Sequence, residues 1–350
     1  MLNAVPHHYE WFIIQYPLFI FFNMTLSQLE YIVAVDTYRH FATAAEACHV
    51  TQPTLSMQIQ KLEDELGILV FDRSRQPVVP TETGLAVLMQ ARDVLRAARR
   101  IPEIISESRN DFQGDLRIGI IPTLAPYLLP YFIGEFIGKH PAVSVQIQEL
   151  VTEQIVERLR NGLIDVGLVV TPLTENGITE MPLFREPFVV YAADSHPLLT
   201  KTAITPADLQ TDGLWLLTGG HCFRNQVMNL CGADQLTNGS AQPELARLRP
   251  ARLRYETGSL ETLIKLIDKQ GGFTLLPYLA TVDMNEERRK RLRPFDQSAG
   301  APPQPVREVS IVIHRSFLKR KLIHALKNEI LTRLPGDLTQ KGTASRVVAW

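Results

Sequence analysis

Two of the three cysteines in this chain, Cys222 and Cys231, lie nine positions apart in the stretch Gly219-Gly-His-Cys-Phe-Arg-Asn-Gln-Val-Met-Asn-Leu-Cys231. Phe223, Val227 and Leu230 are spaced to share one face of a helix that starts after the glycine pair. Cys222 then stands near a helix N-terminus, where partial positive charge favours a thiolate. Arg224, always cationic, pushes the same way, and so does His221 when protonated. A low-pKa thiol with a second thiol nearby is the composition of a redox sensor. The alternative is a pair of buried structural cysteines that never react.

The elements that must position these thiols are bounded by length and composition. At 350 residues the chain is too long for one typical core, so two or three units are expected. A hydrophobic fraction of 45% and a charged fraction of 21% are those of a soluble globular protein. An odd number of cysteines, 3, argues against a secreted disulfide scaffold and for a reducing cytoplasm. The formal net charge of −1 announces no nucleic-acid partner, so any such partner has to be argued locally. Neither a cofactor nor a metal ion is expected. Residues 1–23 hold the apolar run Trp11-Phe-Ile-Ile-Gln-Tyr-Pro-Leu-Phe-Ile-Phe-Phe22, too short to span a bilayer and without the basic flank of a signal peptide. They are expected to be a non-functional leader, dispensable for stability and activity, with the working chain starting at Met24.

From Met24 the pattern is helical. Leu26, Leu29, Ile32 and Val33 mark a first helix; Phe41, Ala44, Ala45 and Cys48 mark a second, with Cys48 on its buried side. Thr51 can cap a third helix that carries Pro53 in its first turn, buries Leu55, Ile59, Leu62 and Leu66, and stops at Gly67. Its other face shows Gln52, Thr54, Ser56, Gln58 and Lys61. Small polar and amide side chains near the N-terminus of the second of two closely joined helices fit a helix-turn-helix. Residues 69–79 read as a short two-strand wing with Arg73 and Arg75 at its tip. Charge does not decide the matter: residues 24–83 hold four Lys and Arg against eight Asp and Glu, so binding must rest on where the few cations sit.

Here a family becomes visible. Leu29-Glu-Tyr-Ile-Val-Ala, Phe41-Ala-Thr-Ala-Ala, the run from Val50-Thr-Gln-Pro-Thr-Leu-Ser to Gly67, Phe71-Asp-Arg and Thr81-Glu-Thr-Gly84 resemble, in order, the winged helix-turn-helix of LysR-type transcriptional regulators. The resemblance implies that Thr51, Gln52, Pro53, Thr54, Ser56, Gln58 and Lys61 face promoter DNA from the recognition helix, and Arg73 and Arg75 from the wing. Pro80 departs from the apolar residue usual before the threonine. Thr81 can cap a long linker helix with Leu85, Leu88, Leu95 and Ala98 on one side, which Pro102 is expected to bend or end. Family members dimerise through this helix, so a dimer, and further a tetramer, is expected.

From Gly114 strands and helices alternate, implying a parallel sheet covered on both faces. Strands are expected at 115–121, 143–149, 165–170, 188–192, 214–217 and 252–256, and Thr123 and Thr152 stand where they can face a cleft, although threonine also caps helices. The fold class is α/β overall: an N-terminal winged helix-turn-helix (24–83), a linker helix (84–112) and a two-lobed, periplasmic-binding-protein-like α/β effector domain (113–334). Lobe I is expected at 113–187 plus 290–334 and lobe II at 188–289, followed by a polar tail at 335–350.

Three segments narrow the resemblance to the hydrogen-peroxide-sensing members of the family: Ile118-Gly-Ile-Ile-Pro-Thr-Leu-Ala-Pro-Tyr-Leu-Leu-Pro130, Pro182-Leu-Phe-Arg-Glu-Pro187 and Gly220-His-Cys-Phe-Arg-Asn-Gln with Cys231. That resemblance implies a peroxidatic Cys222, a resolving Cys231, a pocket of Thr123, Thr152, His221 and Arg224, and a reversible disulfide that controls oxidative-stress genes. Asn225 replaces the usual Asp, and residues 232–250 look like an insertion. The chain is expected to be a cytoplasmic, non-enzymatic regulator with RNA polymerase as a further partner. Its rivals are a regulator responding to a small carboxylate, with incidental cysteines, and a thiol peroxidase.

Overall fold

The computed structural model describes residues 24–108, 112–209, 213–217, 222–231, 258–317, 320–339 and 345–348. The chain divides into two compact units, one ending at Arg99 and the other beginning at Arg100.

In the first unit α1 (Leu26–Tyr38), α2 (Phe41–Ala47) and α3 (Gln52–Leu66) enclose a core of Leu29, Ile32, Val35, Ala44, Ala45, Leu55, Ile59 and Leu62. Thr25 opens α1 with a capping box: its hydroxyl accepts from the Gln28 amide, and the Gln28 side chain accepts from the Thr25 amide at 2.8 Å. Thr51 caps α3, Pro53 lies in its first turn, and Gly67 ends it at φ 67°. The wing is the antiparallel pair β1 (Phe71–Asp72) and β2 (Val79–Pro80). Buried Glu63 ties the wing to α3, accepting from the amides of Val70 at 2.8 Å and Phe71 at 3.2 Å. The first turn of α4 (Glu82–Ser108) crosses the same backbone so closely that a Cβ on Gly84 would lie 2.1 Å from the Val70 carbonyl oxygen.

At Pro102, expected to bend or end α4, the helix does not end but runs on to Ser108; a proline removes one hydrogen bond, and a helix of 27 residues survives that loss. One expectation for α4 needs correction. Leu85 does not share the buried side of Leu88 and Leu95 but is exposed, while Ala91 takes the inner position. The reason is the helical period: 88, 91 and 95 fall at steps of three and four, and 85 drifts off that line once Gly84 fixes the first turn against Val70.

The second unit is built on β3 (Gly114–Ile120), α5 (Ala125–Lys139), β4 (Val143–Glu149), α6 (Thr152–Arg160) and β5 (Val166–Thr171), whose strands pair in parallel. β6 (Ile178–Ala192) follows, then α7 (Cys222–Leu230), α8 (Leu260–Gln270), β7 (Phe273–Pro277), α9 (Leu279–Val282), α10 (Glu286–Arg289), β8 (Leu292–Pro294), β9 (Gln304–His314), α11 (Arg320–Arg333), α12 (Gly336–Thr339) and β10 (Ser345–Val347). The strand order is β4-β3-β5-β9-β6-β7, with β8 on β6 and β10 on β9. β6 pairs with β9 from Ile178 to Pro187 and with β7 from Phe188 to Ala192, so one continuous strand serves two hydrophobic cores. One core gathers β3, β5, β9, α5, α6 and α11; the other gathers Phe188–Ala193, α8, β7 and the inner face of α7.

The expected strand at 188–192 is therefore the end of a longer one. Residues 214–217 make no strand: Leu214 forms a lone bridge to Phe273, and the Trp215 carbonyl instead accepts from the Thr274 hydroxyl at 2.8 Å. The strand expected at 252–256 and the insertion 232–250 lie outside the described residues, as do residues 1–23. The end of the chain is not merely a polar tail, because β10 adds in parallel to β9 and Val348 is buried.

Gly167 in β5 lets α6 lie on the sheet. A Cβ there would stand 2.6 Å from both Ile155 Cγ2 and Val312 Cγ2. Gly167→Ala is expected to lower stability by about 1–3 kcal/mol, the range for overpacking a filled core. Urea unfolding measures it, and an unchanged midpoint would show that α6 is not seated as described.

Candidate functional site

The thiols stand at the two ends of one helix, in different surroundings. Cys222 is the first residue of α7 and packs in the first core; Phe223 and Val227 point into the second, against which Cys231 also packs. The Cys231 amide still donates to the Val227 carbonyl at 3.0 Å, so the helical turn continues to it. Nine helical steps of about 1.5 Å separate the two Cα atoms by roughly 13 Å, against roughly 7 Å for a disulfide. Both thiols are free.

Around Cys222 the structure assembles groups from four elements. Thr123, just after β3, is buried, and its hydroxyl accepts from Arg307 Nη1 at 3.0 Å while its carbonyl accepts from Nη2 at 3.1 Å. Arg307, on β9, has no solvent exposure and pairs with the equally buried Glu186 of β6, Nη2 to Oε2 at 2.7 Å. The other oxygen of Glu186 accepts from the Leu279 amide at 2.7 Å, and the guanidinium carbon lies 5.7 Å from the centre of the Phe223 ring. Thr152 opens α6 without capping it, and its buried hydroxyl makes no other hydrogen bond than the one it offers the Cys222 sulfur. Neither threonine is a helix cap, which leaves both hydroxyls to the pocket.

The electrostatics differ from the expected ones. Burial pushes the Cys222 thiol up from its ordinary value, against the opposing pull of Arg307, of a hydrogen bond from Thr152 to the ionised sulfur, and of the Phe223 amide. Desolvation outweighs the helix terminus here, so the resting thiol is protonated. The cation whose field reaches Cys222 is Arg307; Arg224 instead donates from Nη1 to the Leu217 carbonyl at 2.8 Å, an anchor for the chain entering α7. Cys231 is pushed up to about 12 by burial. His221 lies outside the described residues, and Asn225 is exposed. Arg307 and Glu186 were not among the residues expected from sequence. Each stands on the inward parity of its strand, Glu186 in step with Phe184 and Phe188, Arg307 with Val309 and Ile311.

In the first unit a groove of about 470 Å³ opens between the start of α3, the α1–α2 turn and the wing, lined among others by Arg39, His40, Gln52, Ser56, Arg73 and Arg75. Of the four Lys and Arg in residues 24–83, all but Lys61 line it. This concentration answers the acidic balance of the unit. Each cation is held by a carboxylate: Arg39 by Asp36 at 2.9 Å, Arg73 by Glu63 at 2.7 Å, Arg75 by Asp72 at 3.1 Å. Arg73 also lies 5.3 Å from the centre of the Phe41 ring, which fixes its aim. Arg39 escaped the sequence reading because it closes α1 in the left-handed region, φ 54°, where a glycine would be the usual signal. Pro53 and Thr54 are on the same turn as Gln52 and Thr51 is the cap, whereas the Gln58 amide oxygen faces Gln28 and Lys61 faces Glu65. Of the residues expected on the recognition helix, Gln52 and Ser56 line the groove, and Thr51, Pro53, Thr54, Gln58 and Lys61 do not. Among the described residues no cluster of His, Cys, Asp and Glu could hold a metal ion, and no helix is long and apolar enough to cross a membrane.

The family described as the bacterial regulatory helix-turn-helix protein, lysR family, matches residues 26–85, and the LysR substrate binding domain matches residues 109–335. The DNA-binding transcriptional dual regulator OxyR of Escherichia coli is 34% identical over 319 residues, covering 89% of this chain and 97% of its own. The hydrogen peroxide-inducible genes activator of Haemophilus influenzae is 34% identical over 317 residues, 89% of this chain and 99% of that one. Among solved structures, a full-length OxyR variant from Pseudomonas aeruginosa superposes with a TM-score of 0.70 at 35% identity, covering 89% of this chain and 99% of that one. A Corynebacterium glutamicum OxyR mutant bound to hydrogen peroxide gives 0.54 at 27% identity, covering 88% and 92%. With a two-lobed sensor unit behind a winged helix-turn-helix, and relatives of this identity over nearly their whole length, the chain belongs to the LysR-type transcriptional regulators, among OxyR and its relatives.

Proposed function

We propose that this protein regulates transcription in response to hydrogen peroxide, with Cys222 as the oxidised thiol and Cys231 as the resolving one. The observation that carries the reading is the placement of Cys222: first residue of a helix, beside the buried hydroxyl of Thr152 and in the field of Arg307. The Cys222 thiolate attacks one peroxide oxygen; the S–O bond forms as the O–O bond breaks, and hydroxide leaves and takes up a proton to become water. Thr123, accepting from Arg307, keeps its own O–H to donate to the departing oxygen, and Arg307 steadies the charge. The Cys231 thiolate then attacks the sulfenic sulfur, forming S–S and expelling hydroxide as the second water. Two thiols lose two electrons and one peroxide gains them; a dithiol reductant resets the pair. Thr152, His221 and Arg224 complete the pocket in this reading, Arg224 as an anchor.

The carboxylate-responsive alternative is disfavoured by Glu186, since the buried guanidinium that would take a ligand carboxylate already holds one. The peroxidase alternative is disfavoured by the DNA-facing unit. In that unit Gln52, Ser56, Pro53 and Thr54 read base edges from the major groove, Thr51 and the capped start of α3 meet phosphate, and Arg39, Arg73 and Arg75 exchange their carboxylate partners for phosphates. Gln58 and Lys61 act from farther along the helix. Exposed Leu85 and Met89 of α4 pair with a second copy, which sets two readers on related half-sites of double-stranded promoter DNA. RNA polymerase is the partner that a bound activator meets there.

Peroxide treatment followed by peptide mapping and DNase I footprinting tests the whole reading. A Cys222–Cys231 bond and an altered footprint are expected, both lost in Cys222→Ser; a footprint indifferent to peroxide would sink it. Because the Cys222 thiol is raised, little of it is ionised near neutrality. Its oxidation rate should therefore climb with pH toward and beyond its ordinary 9.0 rather than level off in the acid range. Arg307→Gln should slow oxidation and move that rise to higher pH, and Arg224→Ala should do so far less. Stopped-flow peroxide kinetics against pH would contradict this if the profile were flat between pH 6 and 8. On the DNA side, Gln52→Ala with Ser56→Ala should cost about 1–3 kcal/mol of specific affinity per lost base contact. Arg39→Ala should weaken all sequences alike and lower the salt slope by about one. Fluorescence anisotropy over a salt series distinguishes these, and unchanged affinity in the double variant would refute the assignment.

A further inference from the structure

We infer that the end of the chain is a latch on the redox helix: β10 and Val348 hold α7 in its helical form, and closing the Cys222–Cys231 bond releases them. The inference rests on the thiol reading above and on four observations beyond it. β10 pairs in parallel with the start of β9, Ser345 opposite Gln304 and Val347 opposite Val306, and the Val348 amide donates to the Val306 carbonyl at 2.9 Å. Val348 is buried in the core that also takes Phe223 and Val227 of α7. Gln226 of α7 is fully buried and donates from Nε2 to the Val348 carbonyl at 2.8 Å. Its Oε1 has no partner, so the Val348 carbonyl is the only group that repays burial of this amide among the described residues.

Gln226 sits four residues past Cys222 and five before Cys231, in the middle of the segment that must unwind before the sulfurs can meet. Unwinding moves the Gln226 amide away and strands a buried carbonyl. A three-residue strand is marginal by itself, so its hold depends on that bond and on one apolar side chain. Coupling is reciprocal: whatever the strand contributes to the helix, the helix contributes to the strand. The strand also docks one residue from Arg307, the cation whose field reaches Cys222.

The test uses the full chain, a chain ending at Thr339, and Gln226→Met, which keeps both the volume and the strand. In the reduced proteins, amide exchange within α7 should rise in both variants, and after peroxide the disulfide should close roughly two- to tenfold faster, the factor carried by one buried hydrogen bond. Sulfenic acid formation at Cys222 should keep its wild-type rate in Gln226→Met. In the wild-type chain, trypsin should cut after Arg346 slowly when reduced and quickly after peroxide, and Cys222→Ser should abolish the difference. Wild-type exchange and closure rates in both variants, or a cleavage rate at Arg346 that ignores peroxide, would overturn the latch. Failure of the wild-type chain to form the bond at all would instead overturn the thiol reading, while exchange in the reduced variants still judges the latch by itself.

Discussion

A guanidinium without solvent exposure, Arg307, faces a carboxylate without any, Glu186, and the sensor unit is arranged around that contact. Buried pairs of this kind add little net stability, because desolvating two ions costs about what their attraction returns. What the pair supplies is position. Glu186 lies where β6 stops pairing with β9 and starts pairing with β7, Arg307 lies one residue past the end of the contact between β9 and β10, and the Leu279 amide joins them from α9. The cation is thereby held beside Thr123, Phe223 and Cys222 at no cost in reorganisation when the sulfur ionises.

Burial sets the state of both thiols, against opposing pulls at Cys222 and unopposed at Cys231. At Cys222 the pull of Arg307 and of the Thr152 hydroxyl is smaller than the desolvation that opposes it. At Cys231 burial is the whole account, and it pushes the thiol to about 12. As the resolving thiol of the proposed reading, Cys231 is inert for as long as α7 keeps it packed, both too far away and too fully protonated. Unwinding would remove both obstacles together, since exposure would return Cys231 toward its ordinary value as it brought the sulfur within reach. A sulfenic acid at Cys222 would add bulk in a filled core, which would favour that unwinding. The same burial has a stability consequence of definite sign. A raised thiol contributes fully below its unfolded value, and that contribution is lost as pH climbs from 9.0 toward about 12.

The sequence carried the local structure well and the long-range contacts poorly. Thr51 and Gly67 punctuate α3 by short-range chemistry, and the helical spacing of Phe223 and Val227 did mark the inner face of α7. Cys222 could be placed at a helix start for the same reason. Its electrostatics could not, because the deciding cation arrives from 85 residues away while the nearby Arg224 turns to a backbone carbonyl. The inward parity of Glu186 and Arg307 was readable, two opposite charges where only apolar residues belong, but reading it requires both strands to be placed first. Residues 214–217 show the converse failure: four apolar residues in a row look like a strand, yet only Leu214 finds a ladder partner. The closing strand was illegible for a third reason, since three residues are too few for any periodic pattern.

One physical consequence follows from where α7 sits. Cys222 belongs to one core and Phe223 to the other, so the peptide between them is the place where the two cores are stitched together. Continuous β6 is a second stitch, and a strand cannot change its length. Withdrawing Cys222 from the first core while Phe223 and Val227 stay in the second leaves a space beside Thr152 that apolar neighbours must fill. Packed interiors do not deform by degrees. Since β6 fixes how far apart the cores can be, the change open to them is a rotation about that strand. In the proposed reading, a bond between two sulfurs would thus be converted into an angle between two lobes, which is the form of signal that a two-lobed regulator can transmit.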